Sequence, residues 1–179
     1  MDELTKLALA ARDGNRDALA AFVRRSQADV WRFCAHAGDR AEADDLTQEV
    51  FLRAIGALRA FRGESGARTW LLSIASHTCA DAVRRAQRQR ALLERFRREA
   101  PQELQPDRVG DVALDELVRD LDHDRRTAFV LTQIVGLSYD EAAQVCRCPV
   151  GTIRSRVSRA RADLLGVLRS NDERDTGTQ

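Results

Sequence analysis

Aromatic residues make up only 5% of the chain, and proline occurs 3 times, never before Pro101. A chain this poor in proline is free to run in long helices. No apolar run approaches the roughly 18 residues that a membrane-spanning helix needs. The first residues, MDELTKLALAARDGNRD, are acidic and lack the basic-then-apolar order of a secretory leader, so a cytoplasmic location is expected. The 4 cysteines, Cys34, Cys79, Cys146 and Cys148, contain no Cys-x-x-Cys knuckle. Zinc is therefore not expected, and the sulfurs read as buried or half-buried thiols. No stretch alternates with strand period, and no internal repeat is evident. No glycine-rich phosphate loop, nucleophile–base order or carboxylate pair stands out, so neither an enzyme nor a cofactor is expected.

What is present is a helix-forming alphabet with enough apolar content for a core: 44% hydrophobic and 32% charged residues in a chain of 179. Apolar spacing predicts helices over about 4–12, 16–36, 40–59 and 68–90, then a linker rich in turn-forming residues at 98–111. The next helices are expected over 112–121 and 123–135, ending at Gly136, followed by one from Ser138 and a last one over 149–169. The reading is all-α: two small helical domains, 1–92 and 113–170, joined by a linker at 93–112, with a disordered tail at 171–179.

The overall charge of +1 conceals a strong segregation. Residues 1–60 carry −1, 61–100 carry +5, 101–146 carry −6, 147–170 carry +5 and the tail −2. Two basic blocks separated by an acidic one point to two contacts with a polyanion.

The second basic block has a helix-turn-helix outline. Ser138 and Glu141 form a capping box at the start of a short helix. A turn at Arg147-Cys148 follows, and Pro149 suits the first position of the next helix. On a helical wheel Val150, Ile153, Val157, Ala160, Leu164 and Leu168 share one side, turned towards Ala142, Val145 and Leu131. The opposite side holds Ser155, Ser158, Arg159 and Ala162, flanked by Arg154 and Arg156. Short serines allow close approach to a major groove, and arginine is the usual bidentate partner of guanine. Thr152, near the helix start, is placed to donate to a phosphate.

In the first half, residues 43–58 show a similar division. Ala43, Leu46, Thr47, Val50, Phe51, Ala54 and Leu58 face a core. Asp45, Gln48, Glu49 and Leu52 form an acidic outer face with a misplaced leucine, the composition of a docking surface for a protein. The segment beginning at residue 61 mixes rings and cations: Phe61, Arg62, Arg68 and Trp70, then Arg84, Arg85, Arg88 and Arg90. Stacking platforms beside phosphate-neutralising side chains suit single-stranded nucleic acid. Trp70 itself reads as a core anchor, with Leu71, Ile74 and Ala75 behind it. His77 lies in the polar stretch Ser76-His77-Thr78.

Three segments in this order resemble the bacterial sigma factors of the extracytoplasmic-function group. DDLTQEVFLRAI (44–55) is similar to the segment that binds core RNA polymerase. FRGESGARTWLLSIA (61–75) is similar to the segment that melts and reads the −10 element. GLSYDEAAQVCRCPVGTIRSRVSRAR (136–161) is similar to the −35-reading helix-turn-helix. The resemblance implies an alternative sigma factor that directs promoter-specific initiation. It implies that Asp45, Gln48, Glu49 and Leu52 meet the clamp helices of the largest polymerase subunit, and that the second domain sits on the flap of the second-largest. It implies −35 contacts from Thr152, Arg154, Ser155, Arg156, Ser158 and Arg159. Contacts to the −10 element fall to Phe61, Arg62, Arg68, His77, Arg84 and Arg85. His77 stands where many members have an asparagine near a pocket for a flipped base. An anti-sigma factor is the partner that usually restrains such proteins.

Two other readings account for less. A plain helix-turn-helix regulator explains 136–161 but neither the acidic helix nor the 61–75 segment. An enzyme would have to rest on His77 and Asp81, four residues apart on a basic helix.

Overall fold

The computed structural model describes residues 1–97 and 117–175. The 98–111 linker and residues 112–116 of the 112–121 segment lie outside those residues. Seven helices of the described chain are used below: α1 (Glu3–Arg12), α2 (Arg16–Ala37), α3 (Ala43–Ala57), α4 (Ala67–Arg97), α5 (His123–Phe129), α6 (Tyr139–Cys146) and α7 (Val150–Asp175). Among the described residues there is no strand.

Local chemistry explains the boundaries. Asp2 caps α1 by accepting from the Thr5 N–H, and Asn15 caps α2 by accepting from the Ala18 N–H. Single 3₁₀ turns at Arg40–Glu42 and Leu58–Ala60 bracket α3, so the helix expected over 40–59 is tightened at both ends. Gly38 ends α2 where a Cβ would lie 2.8 Å from both the Cys34 carbonyl and a Leu46 methyl, so only glycine lets α3 approach that closely. Helix α4 runs beyond the expected end at 90, through Arg97, and so takes in the first residues assigned to the linker.

Two further expectations are corrected. The helix expected over 123–135 is α-helical only to Phe129; Val130–Ile134 forms a wider π turn, with the Val135 N–H bonding the Val130 carbonyl at 2.9 Å. The chain then turns at Gly136, whose φ of +81° suits glycine. At the other end, α7 continues to Asp175, so 171–175 is helix rather than disordered tail; 176–179 lie outside the described residues.

Helices α1 to α4 bury Phe22, Val30, Phe33, Val50, Leu71 and Leu72, each at most 1% exposed. Each such side chain contributes about 1.5–3 kcal/mol of burial. The later helices bury Leu131, Ala142, Val145, Ile153, Val157 and Ala160. The two sets belong to one continuous apolar cluster, because α4 packs along α6 and the π turn packs on α2. The halves thus form a closed body, with the helix-turn-helix leaning on the long helix of the first half.

Candidate nucleic-acid interface

The capping box forms as the sequence requires. The Ser138 N–H donates to Glu141 Oε2 at 2.8 Å, and the Glu141 N–H donates to Ser138 Oγ at 3.2 Å. Helix α6 ends at Arg147, which takes a left-handed conformation (φ 50°) and directs its N–H back to the carbonyls of Ala143 and Gln144. That single residue turns the chain into α7. Ile153, Val157, Ala160 and Leu164 are buried, while Arg154, Ser155, Ser158, Arg159 and Ala162 are exposed, as the wheel places them; Val150, at the start of the seam, is half-buried. Arg154 and Arg159 have no ion-pair partner among the described residues. Thr152 is half-buried, and its carbonyl accepts from Ser155 Oγ at 2.9 Å. Arg156 departs from the outward set: its guanidinium pairs with Asp124 of α5 and reaches the Cys148 sulfur. Its place on the wheel lies at the edge of the buried face, and the nearby carboxylate draws it in.

The acidic face of α3 is also formed. Asp45 and Gln48 are exposed, Glu49 is half-exposed, and Leu52 is 68% exposed with Ile55 beside it. A groove of about 480 Å³ runs between α3 and α4, with Glu42, Asp45 and Glu49 on one wall and Arg85 and Gln89 on the other. Arg85 therefore faces the acidic groove. Glu49 is joined through Arg53 to Asp81 and on to Arg84, at 2.8, 3.3 and 2.6 Å. This chain fixes α3 against α4 and occupies Arg84. Arg84 and then Arg53 hold the Asp81 carboxyl below its usual range. Asp81 is thus committed to arginines, and His77 bonds elsewhere, so the acid–base pair of the enzyme reading is not assembled.

Residues 61–66 form a short loop ahead of α4. Ala60, Phe61, Arg62, Gly63, Glu64, Ser65 and Trp70 line a hollow of about 170 Å³. Phe61 is 4% exposed, and its ring lies 4.8 Å from that of Trp70, tilted by 40°. It is the floor of the hollow rather than an open stacking platform, because its ring completes the core under the loop. Arg62 stands at the rim, its side chain 82% exposed and 3.8 Å from the Glu64 carboxylate.

Arg68, read from sequence as a DNA contact, is engaged within the protein. Its Nε donates to Asp29 of α2 and its Nη2 to the Val135 carbonyl, each at 2.7 Å. His77 is exposed and lies about two turns of α4 beyond Trp70, away from the loop hollow. Its Nδ1 is 2.6 Å from the Ser73 carbonyl, an acceptor, so Nδ1 carries the hydrogen and Nε2 is left to accept in the neutral ring. It lines a second cavity of about 250 Å³ between the halves, shared with His123, Asp124, Arg147 and Arg156. These inter-half partners are not legible in residue identity, since a carbonyl acceptor such as that of Val135 leaves no mark on it.

The sulfurs are spread over two places. Cys34 and Cys79 are fully buried in the first half. Both are free thiols, and the pKa of Cys79 is pushed up by its hydrogen bond with Cys34 and by burial. Burial raises Cys146 to about 12.

Comparison with known proteins places this geometry. Residues 22–89 match the family described as Sigma-70 region 2, and residues 111–164 match Sigma-70, region 4. The ECF RNA polymerase sigma factor SigC of Mycobacterium tuberculosis is 50% identical, over 96% of this chain and 94% of that protein. The ECF RNA polymerase sigma-E factor of Escherichia coli is 31% identical, over 89% and 92%. Among solved structures, CnrH in complex with the cytosolic domain of CnrY superposes with a TM-score of 0.74 at 29% identity, covering 94% of this chain and 99% of that one. The sigma factor RpoE in complex with the anti-sigma factor NepR, from Bartonella quintana, gives a TM-score of 0.64 at 27% identity, covering 82% and 94%.

Proposed function

The chain belongs to the extracytoplasmic-function sigma factors, and from that premise we propose how its residues divide the work of an alternative sigma factor in promoter-specific initiation. The protein is a transcription factor of RNA polymerase; three surfaces carry its separate tasks.

Helix α7 reads the −35 element. The observation that carries this assignment is the separation on α7 itself. Ile153, Val157, Ala160 and Leu164 are buried, while Arg154, Ser155, Ser158 and Arg159 remain on one open face, the two arginines with no ion-pair partner among the described residues. Arg159 and Arg154 supply bidentate donors for guanine, and the two serines keep the helix close to the groove. Thr152 takes a phosphate. Arg156 supports the face by tying α7 to α5.

The loop 61–66 reads the −10 element. Its hollow is sized for part of a base, Phe61 and Trp70 give it a floor, and Arg62 supplies charge at the rim. Two turns along α4, His77 offers Nε2 as an acceptor for a base edge or a 5′ neighbour. The −10 duties of Arg68, Arg84 and Arg85 require them first to leave Val135, Asp81 and the α3 groove.

The acidic face of α3 docks on core polymerase, with Asp45, Gln48 and Glu49 as the charged rim and Leu52 as the apolar anchor. Its target is the clamp helices of the largest subunit, and the second half takes the flap of the second-largest. An anti-sigma factor is the restraining partner, a reading supported by the sigma–anti-sigma pairing named for the Bartonella relative. No described helix is long and apolar enough to cross a membrane, which agrees with a cytoplasmic site of action.

The test is competition for core polymerase. Labelled chain titrated with core should bind, and Leu52→Asp and Glu49→Lys should each weaken binding by about tenfold or more, the usual cost of a lost anchor. DNA binding through α7 should not change. Wild-type affinity in both variants would place the docking surface elsewhere.

A further inference from the structure

Helix α1 lies outside the matched region 2, which begins at residue 22. Its N-cap Asp2 and its residues Thr5, Leu9 and Arg12 follow at spacings of three and four, one stripe of a helix. All four positions of that stripe meet the two ends and the bend of the 61–66 loop.

At the end of the loop, α4 begins after Gly66. Glycine has no side chain to cap a helix, so the first N–H groups of α4 need a partner from elsewhere. The Ala67 N–H donates to Thr5 Oγ1 at 2.9 Å, across 62 residues of sequence. The Thr5 hydroxyl is spoken for on its other side: it donates to Asp2 Oδ2 at 2.6 Å, and the Thr5 N–H donates to Asp2 Oδ1 at 2.9 Å. Thr5 is 2% exposed, so water cannot substitute for it. At the bend, Gly63 takes a φ of +74°, and a Cβ there would lie 3.4 Å from a Leu9 methyl. At the start of the loop, Arg12 Nη1 donates to the Phe61 carbonyl at 3.2 Å.

We infer that α1 is the positioning element of the base-reading loop: Thr5, Leu9 and Arg12 fix its end, its bend and its start, and so set which base the hollow accepts. The inference rests on the reading of 61–66 as the −10 reader. A six-residue loop rich in glycine and serine has many accessible conformations. Selecting among bases needs the hollow held to a fraction of an ångström. Phe61 is anchored at the start of the loop by its packing on Trp70, but beyond it the loop's own side chains do little: the one ion pair within it, Arg62 with Glu64, is long and exposed. The fixed points at the bend and the end come from α1, which also holds the Phe61 carbonyl at the start. Helix α1 packs on α2, which carries it with the rest of the first half, so it holds the loop from a rigid base. Thr5, Leu9 and Arg12 touch no DNA in this account. They act through the loop.

The test uses the full chain reconstituted with core RNA polymerase and a promoter library randomised over the −10 and −35 elements, with run-off transcripts sequenced. Thr5→Val keeps the side-chain shape and removes the hydroxyl; Arg12→Gln removes the hold on Phe61. Both should flatten base discrimination at one or two −10 positions by about fivefold, the worth of one hydrogen bond. The −35 profile and the affinity for core should not change, and Thr5→Ser should restore the wild-type profile. Arg12→Gln, at a partly exposed side chain, keeps the test open should Thr5→Val fail to fold. An unchanged −10 profile in the α1 variants, or an equal loss at all positions of both elements, overturns the inference. Arg62→Ala in the loop serves as the reference. If it shifts the −10 profile while the α1 variants do not, only the positioning role falls; if it too leaves the profile unchanged, the loop is not the reader and both fall together.

Discussion

The guanidinium of Arg68 is shared between Asp29 and the Val135 carbonyl, 2.7 Å from each, and so ties the first half of the molecule to the end of the π turn in the second. Val135 can accept because the turn from Val130 to Ile134 closes the helix and leaves that carbonyl to face α4. Arg68 is about one third exposed, so the pair of bonds is partly screened. Replacing it with methionine strands the carbonyl and leaves Asp29 with Arg32 alone, at 3.5 Å. We expect Arg68→Met to lower stability by about 1–3 kcal/mol and to speed hydrogen exchange along α6, where the second half rests on α4. Unchanged exchange in Tyr139–Cys146 would show that apolar packing alone holds the halves together.

His123 gives the same contact a dependence on pH. The residue is half-buried beside the cavity between the halves, and its buried Nδ1 has no hydrogen-bond partner among the described residues. Burial, then the neighbouring Arg126, lowers its pKa below the ordinary 6.5, with Arg84 adding to the effect and Asp124 and Asp122 opposing it. Arg147, Arg156 and His77 also face the cavity. The folded chain therefore prefers the neutral ring. Its contribution to stability is complete above the unfolded value near 6.5 and is lost as pH falls through the lowered folded value. The melting temperature should drop between pH 7 and pH 5 more steeply for the wild type than for His123→Gln. Parallel curves would remove His123 from the account.

The helical architecture was legible because its signals are local. The α1 and α2 boundaries, the Ser138–Glu141 capping box and the buried seam of α7 all follow from spacings of three and four residues, and the structure reproduces them. The outward set on α7 was legible for the same reason, except at Arg156, where a carboxylate 32 residues away decides the rotamer. The loop segment shows the limit more sharply. Phe61, Arg62 and Arg68 lie close together in the sequence, yet one is buried, one is exposed at the loop rim and one is bound to the other half. Each outcome is set by tertiary neighbours that no spacing reports. The role of α1 was invisible for a related reason: a threonine that caps a distant helix resembles any other threonine in its own.

In the function proposed, separate surfaces of one small chain read separate promoter elements. The most direct measurement is run-off transcription with core RNA polymerase on a library randomised at both elements, comparing wild type, Arg159→Ala and His77→Asn. Wild type should enrich two motifs. Arg159→Ala should relax one or two −35 positions by about 1–3 kcal/mol of discrimination and leave the −10 profile intact. His77→Asn should shift preference at a single −10 position and leave the −35 profile intact. Loss spread evenly over both elements in either variant, or no enrichment by the wild type, would contradict the account.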